Sequence, residues 1–285
     1  IAFLFLLISL TLTSCKEQGS GYPIDYEQLS ENERIVIRFS HVVGEDTPKG
    51  KAARKFAELV KERSRGLIEV QVFSNGMLYK DSEEMKALQN GDIHMIAPAI
   101  SKLTDIIPEF AVYDLPYAFR SYDEIHDYTN SLAGQQLTRK LEDHNLISMG
   151  IWDSGFKQFS NSIRPILNYR NLHDLKMRIM PSDILFEQYA VLGAHPKHIE
   201  FNNVYNELEK NSVDGQENTL SNITSKNLHT LQDYLTISNH GYLGYFVLFN
   251  LNFWNGLDSE VQLLLSEVLS EVQQWEWQVA LEMND

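Results

Sequence analysis

From residue 35 onward the chain alternates stretches of period two with stretches of period 3.6, and this alternation restricts the fold more than any other feature. Residues 35–39 are rich in β-formers. Ala53, Phe56, Ala57 and Val60 then recur at i, i+3, i+4 and i+7, which predicts one face of a helix that Gly66 can end. Ile68, Val70 and Val72 alternate with polar residues as a second strand. Met85, Leu88 and Gln89 fit a short helix closed by Gly91, and residues 93–97 supply a third strand. Strand, helix, strand, helix, strand implies right-handed crossovers and a mostly parallel sheet, the α/β class. A second series begins near Ile151 and takes in a strand around Arg178 and helices over 183–192 and 203–208. From Leu257 to the end, Val261, Leu264, Leu265, Val268, Leu269, Val272 and Trp275 keep helical spacing for about five turns, a long final helix that the pattern expects to continue past Asp285.

The start of the chain has a different character. Residues 1–14 are apolar and uncharged, long enough for a signal-peptide core and too short to span a bilayer. Leu12, Thr13, Ser14 and Cys15 then resemble a lipobox, whose cysteine is acylated after cleavage. Cys15 is the only cysteine, which excludes a disulfide framework and cysteine-ligated metal. The initiator methionine and a basic n-region are absent, so the sequence is expected to begin inside the signal. Residues 15–33 are polar, lack apolar periodicity and read as a lipidated tether. Beyond the signal about 270 residues remain, enough for two domains with real cores.

A formal charge of −15 argues against nucleic acid and against adsorption to anionic lipid. It also repels anionic ligands at long range, so any anion site must be a local cluster of lysine and arginine.

Catalytic signatures fail one by one. GEDTPKGKA (44–52) has five residues between its glycines where a phosphate loop has four, and Ala52 stands where that loop needs Ser or Thr. His195 and His198 flank Pro196 with no carboxylate in a metal-binding pattern, and read as a solvated loop. Glu83 and Glu84 are adjacent, so they point to different faces of a helix and read as surface residues. There is no G-x-S-x-G, H-E-x-x-H or G-x-G-x-x-G after a strand. Neither an enzyme nor a cofactor or metal site is indicated.

Two segments carry binding chemistry instead. Arg178 lies mid-strand in DLKMRIMPSD (174–183), and a guanidinium cannot shed its charge, so it needs an anionic partner. That partner is either a distant Asp or Glu or a ligand. The segment VDGQENTLSNI (213–223) favours a ligand, because its turn at Asp214 and Gly215 is followed directly by the hydrogen-bonding side chains Gln216, Glu217 and Asn218.

FSHVVGEDTPKGKAARKFAELV (39–60), VFSNGMLYKDSEEMKAL (72–88), PEFAVYDLPYAF (108–119), GFKQFSN (155–161), LKMRIMPS (175–182), VDGQEN (213–218) and SNHGYLGY (238–245) together resemble the extracytoplasmic solute-binding subunit of tripartite ATP-independent periplasmic (TRAP) transporters. The likeness runs from about residue 35 to the end. TPKG, GFKQ and NHGYLGY are most similar to the branch that binds four-carbon dicarboxylates such as malate, succinate and fumarate. It implies a two-lobed periplasmic-binding-protein clamp, with residues 34–154 and 244–285 in one lobe and 155–243 in the other. It further implies that Arg178 holds one ligand carboxylate by a two-pronged salt bridge, with Asn218 donating to the same carboxylate. Lys157 stands where many relatives have arginine, suggesting a point charge for a second anionic group. Phe201 matches an aromatic that packs on the ligand and Tyr245 a polar position on the returning segment; Lys49, Ser101, Lys102 and His240 are secondary candidates. A solvated loop for Lys49 and a capping role for His240 are equally open.

Two departures from the family pattern stand out. Lys210, Asn211 and Ser212 occupy the stretch where relatives carry Gly before the turn, and Asn211 can supply the left-handed conformation that ends the helix. Relatives also continue for some tens of residues past the position of Asp285, into part of the second lobe. The implied partners are a small organic acid, one small and one large integral membrane subunit, and the membrane itself through Cys15, in a periplasmic or extracytoplasmic setting. A binder of uronates or other sugar acids, and a sensor lobe reporting to a signalling protein, are the alternatives.

Overall fold

The computed structural model describes residues 34–285; the expected signal segment, Cys15 and the tether up to residue 33 lie outside the described residues. The first half of the chain forms β1 (Ile35–Ser40), α1 (Pro48–Arg63), β2 (Ile68–Phe73), α2 (Glu84–Asn90), β3 (Met95–Ile96), α3 (Tyr122–Asn130), α4 (Leu132–Arg139) and β4 (Leu146–Phe156). Then come β5 (Gln158–Asn161), β6 (Lys176–Ile179), α5 (Asp183–Val191), β7 (His195–His198), α6 (Val204–Glu209), β8 (Gly215–Asn218), α7 (Leu220–Ser225) and β9 (Tyr234–Thr236). The chain closes with β10 (Tyr242–Asn250), α8 (Leu251–Asn255) and α9 (Ser259–Asn284).

These strands make two five-stranded sheets, ordered β2-β1-β3-β10-β4 and β7-β6-β8-β5-β9. The expected parallel pairs are there: β1 with β2 and β3 in the first sheet, β6 with β7 and β8 in the second. Each sheet is nevertheless mixed rather than mostly parallel. β10 runs antiparallel to β3 and β4, and β5 antiparallel to β8 and β9. The cause is the path of the chain. β4 leads out of the first sheet into β5 of the second, and β10 returns from the second sheet, so it must re-enter in the opposite sense. The two crossings lie side by side, joined by the Lys157 N–H donating to the Gly241 carbonyl at 2.8 Å.

Core side chains follow the periodicities. On one face of the first sheet, Ala52, Ala53, Phe56 and Val60 of α1 pack with Ile37 and Phe39 and with Val261, Leu265, Val268 and Val272 of α9. The other face is covered by α2, α3 and α4 around Phe110, Tyr113 and Phe246. In the second sheet Met177 and Ile179 pack on Leu185 and Tyr189 of α5. A further cluster joins the sheets, because Val42 and Val43 at the end of β1 pack with Ile199, Phe201 and Val204.

Local details match residue chemistry. Thr47 caps α1 by accepting from the Gly50 N–H, and Pro48 sits in the first turn, where its missing N–H is no loss. Gly50 is forced by a close approach: a Cβ there would lie 2.2 Å from the Gly44 carbonyl oxygen. Asn211 adopts φ +55° after α6, the left-handed conformation its side chain tolerates. Three expectations are corrected. His195 and His198 are exposed as expected but lie on the edge strand β7 rather than in a loop. Lys49 is not solvated; it is 1 % exposed on the inner face of α1. Glu84 is not on the surface; it is buried and accepts a hydrogen bond from Ser40 Oγ at 2.8 Å.

Candidate functional site: a cationic cleft between the sheets

Arg178 lies in β6, the second strand of its sheet, with β8 beside it. The side chain is 1 % exposed. Its Nε donates to the Ile199 carbonyl at 2.9 Å, and no carboxylate of the described residues lies within ion-pair distance. Burial lowers its pKa to about 10, with the Asp81 and Glu217 charges acting against that shift. Even so it remains fully charged at neutral pH, and its two Nη groups have no protein acceptor among the described residues. A buried cation in this state is a receptor for an anion.

Asn218 ends β8, where Thr219 caps α7. The Thr219 N–H donates to Asn218 Oδ1 at 3.1 Å, and Asn222 Nδ2 donates to the same oxygen at 2.9 Å. With its oxygen committed, Asn218 presents Nδ2, a second donor beside Arg178.

The first lobe contributes the opposite wall. Lys49 Nζ donates to the Ala97 carbonyl at 2.8 Å and sits 3.7 Å from the centroid of the Tyr245 ring, a cation–π contact. Burial pulls its pKa down to about 8, opposed by the Glu84 and Asp81 carboxylates. Lys102 Nζ is 2.5 Å from Asp81 Oδ1. Asp81 also reaches across the cleft, where the Phe201 N–H approaches its Oδ2 at 3.5 Å.

Arg178, Asn218, Phe201, Tyr245, Lys49 and Lys102 all line one cavity of about 30 Å³ between the sheets. Three cations and one carboxylate, Asp81, face it, so it is a positive site inside an acidic protein. That is the local cluster which the overall charge demanded.

Three residues singled out from the sequence lie elsewhere. Lys157 Nζ is 2.7 Å from Glu217 Oε1 and does not line the cavity, so its charge is already met within the protein. His240 belongs to the same network: its Nε2 lies 2.8 Å from Glu217 Oε2, Ser238 Oγ is 2.8 Å from its Nδ1, and its ring stacks on Phe159. Burial lowers the His240 pKa, which leaves a neutral ring with the proton on Nε2 facing Glu217. Tyr189 OH donates to Glu217 Oε2 at 2.8 Å. Burial alone would raise the Glu217 pKa, but Lys157 and His240 together hold it well below the usual carboxylate range. Ser101 Oγ donates to Asp114 Oδ1 at 2.6 Å, outside the cavity.

Two polar lining residues, Asp81 and Asn222, were not singled out from the sequence. Asp81 follows YK in a loop and Asn222 falls in the first turn of α7, and neither position carries a distinctive pattern. Among the described residues no group of His, Cys, Asp and Glu could hold a metal ion, and no helix is long and apolar enough to cross a membrane.

The model of the bacterial extracellular solute-binding protein family 7 matches residues 39–285. The C4-dicarboxylate-binding protein DctB of Bacillus subtilis is 46 % identical over 260 residues, which is 91 % of this chain and 74 % of that protein. The C4-dicarboxylate-binding periplasmic protein DctP of Rhodobacter capsulatus is 41 % identical over 254 residues, 89 % of this chain and 76 % of that one. A TRAP periplasmic solute-binding protein of Sulfurospirillum deleyianum, solved with bound succinate, superposes with a TM-score of 0.84 at 38 % identity, covering 87 % of this chain and 80 % of that chain. Given a two-lobed α/β fold, a cationic cleft between the lobes and these relatives, the chain belongs to the bacterial extracellular solute-binding protein family 7, the solute-binding proteins of TRAP transporters.

Proposed function

We propose that the cleft captures a four-carbon dicarboxylate and that the loaded protein delivers it to the small and large membrane subunits of a TRAP transporter. The observation that carries this reading is the charge of the cavity: Lys49, Lys102 and Arg178 against Asp81 leave two positive charges to be met. A dianion meets both, whereas a monoanion leaves one unpaired in a site removed from water. Arg178 Nη and Asn218 Nδ2 hold one carboxylate on the second lobe. Lys49 and Lys102 meet the other from the first lobe, the role assigned to Lys157 on resemblance alone. In this reading residues 34–154 and 244–285 form one lobe and 155–243 the other, and Cys15, lipidated, holds the protein at the membrane. The names of the B. subtilis and R. capsulatus relatives support the ligand class, as does the bound succinate of the S. deleyianum protein.

One comparison favours a second reading. A sugar-acid-binding protein of Advenella mimigardefordensis, solved with galactonate, superposes with a TM-score of 0.86 at 29 % identity, over 88 % of this chain and 81 % of that chain. The two excess positive charges of the lining weigh against a monoanion here.

Calorimetric titration of the purified protein with succinate, fumarate, malate, butyrate and galactonate separates the two. Micromolar or tighter binding of the dicarboxylates with far weaker butyrate is the expected result; tighter binding of galactonate, or equal binding of succinate and butyrate, overturns the dicarboxylate reading.

A further inference from the structure

Asp114 ends the helical turn Pro108–Asp114 of the first lobe, and each of its three acceptor oxygens has a donor. One donor belongs to the same lobe: Ser101 Oγ donates to Oδ1 at 2.6 Å. The other two come from the second lobe, where Ser182 Oγ donates to Oδ2 at 3.0 Å and Gln188 Nε2 donates to the backbone carbonyl at 2.7 Å. Ser182 caps α5 at the exit of β6, the strand of Arg178, and Met180 between the two lines the cavity. Asp114 itself does not line it. A single aspartate of the first lobe thus fastens the segment that carries Arg178.

The carboxyl group is 2 % exposed, and its two oxygens meet serine hydroxyls rather than a cation. The charges that act on it come from other elements. Lys157 of β5 favours the ionised form and Glu217 of β8 opposes it, and these two are paired with each other, Glu217 being bound by His240 as well. On its own turn Glu109 is exposed and engaged by Lys140, while α5 presents the neutral Ser182 and Gln188. A carboxylate taken from water into such surroundings without a cation of its own is destabilised, and it takes up a proton instead. Burial accordingly raises the Asp114 pKa above its ordinary value, with Lys157 acting against that shift. Both serine contacts survive protonation, because a hydroxyl can accept as well as donate.

We infer that Asp114 is the latch of the clamp: a positioning residue that fastens the Arg178 segment to the first lobe when the lobes close, and that enters the closed form carrying a proton. The inference rests on the dicarboxylate-binding clamp proposed above and adds what holds that clamp shut. When the lobes part, Asp114 leaves Ser182 and returns to water, where a carboxyl group is ionised at neutral pH. Ligand capture therefore takes up a proton at Asp114. Because the pKa is raised in the closed form, closure is most favourable at or below the ordinary carboxylate value and weakens as pH rises through the range between the two.

The experiment is calorimetry with fumarate, an acid strong enough to stay a dianion between pH 5.5 and 7, in pairs of buffers of different ionisation enthalpy. It compares wild type with Asp114→Asn and Gln188→Ala. Wild type is expected to take up more protons on binding than Asp114→Asn, and its affinity to fall with pH by up to about tenfold per unit more steeply. Asparagine has the shape of the neutral acid and offers the serines an acceptor and a donor, so Asp114→Asn should bind at pH 7 at least as tightly as wild type. Gln188→Ala keeps the carboxyl group and loses one bond between the lobes, so its affinity should fall about fivefold with the pH slope unchanged. Equal proton uptake by wild type and Asp114→Asn overturns the protonated latch, as does tenfold weaker binding by Asp114→Asn at pH 7. Parental affinity in Gln188→Ala overturns the latch itself, and that variant decides the matter if Asp114→Asn does not fold. Failure of fumarate to bind wild type overturns the underlying dicarboxylate reading instead.

Discussion

Lys157 and Glu217 form an ion pair of 2.7 Å in the interior, their side chains 2 % and 1 % exposed. Glu217 is also bound by His240 and Tyr189, so every oxygen of this carboxylate has a partner. The pair ties the start of β5 to β8 and to the segment that returns toward β10, next to both chain crossings. It thus builds the hinge side of the second lobe and does not touch the cavity.

Replacing Lys157 by Met should therefore act on stability before affinity. Removing one partner strands a buried charge, which costs about 3 to 5 kcal/mol. Denaturant unfolding at pH 7 should show a loss of this size, and pairing the change with Glu217→Gln should restore part of it. The Glu217 pKa is depressed in the fold, so the pair's contribution is present above the unfolded value of 4.5 and is lost as pH falls below it. A Lys157→Met protein of unchanged stability that no longer binds dicarboxylates would return Lys157 to the ligand.

Arg178→Ala should weaken dicarboxylate binding by two or more orders of magnitude, since charge-assisted bonds contribute roughly 1.5 to 3 kcal/mol each. Unfolding should be little affected, because within the fold the guanidinium is tied by its Nε to the Ile199 carbonyl and to no carboxylate of the described residues. Arg178→Lys should recover only part of the affinity, as an ammonium cannot present the fork of two Nη groups. Parental binding by Arg178→Lys would rule out the two-pronged clamp.

Lys49 makes the affinity depend on pH. Its pKa, brought down to about 8 by burial, means that the free protein holds the charge at neutral pH and loses it as pH rises through that value. A bound dianion favours the charged form, so binding takes up a proton above pH 8, and affinity should fall by up to about tenfold per pH unit there. Calorimetry at pH 7, 8 and 9 checks the slope. Lys49→Met should bind more weakly throughout and show no such slope; a variant that keeps it would place the titration elsewhere.

Strand and helix positions were legible because their apolar periodicity is local: residues 35–39, 53–60 and 261–275 all lie in the elements their spacing suggested. The antiparallel half of each sheet was not, because the sense in which β10 enters depends on where the chain has been since β4. The same distinction separates the site residues. The segment around Arg178 announces a need for an anion, since a guanidinium in a strand has no local answer. Lys157 poses the same question, and its answer, Glu217, lies 60 residues away within the very VDGQEN cluster that suggested a ligand. Glu84 misled for a related reason: an acid at the start of a short helix looks solvated until Ser40, from another strand, is seen beside it. Asp81 and Asn222 had no pattern to show, because a loop aspartate and a helix asparagine acquire a role only when the second lobe folds over the first.

Ligand binding should also close the clamp. Among the contacts that already join the two lobes are Ser182 Oγ to Asp114 Oδ2 at 3.0 Å, Gln188 Nε2 to the Asp114 carbonyl at 2.7 Å, Asn202 Nδ2 to the Asn75 carbonyl at 3.0 Å, and the Phe201 N–H toward Asp81. Only the Asn202 contact is exposed, and each hydrogen bond is worth about 1 kcal/mol net against water, so the unliganded protein should still open. A dicarboxylate held by Arg178 and Asn218 on one side and Lys49 and Lys102 on the other touches both lobes only when they are shut. Moving a mostly open population to a mostly closed one takes about 5 kcal/mol of differential affinity, within reach of two carboxylates in a site that excludes water. Small-angle scattering should show the radius of gyration falling when succinate or malate is added. Asp114→Ala removes the buried acceptor shared by Ser182 and Ser101 without touching the cavity, so it should weaken binding about tenfold and keep the closed radius at saturation. An identical scattering curve with and without saturating ligand would mean a cleft that is closed from the start, and the mechanism by closure would fall.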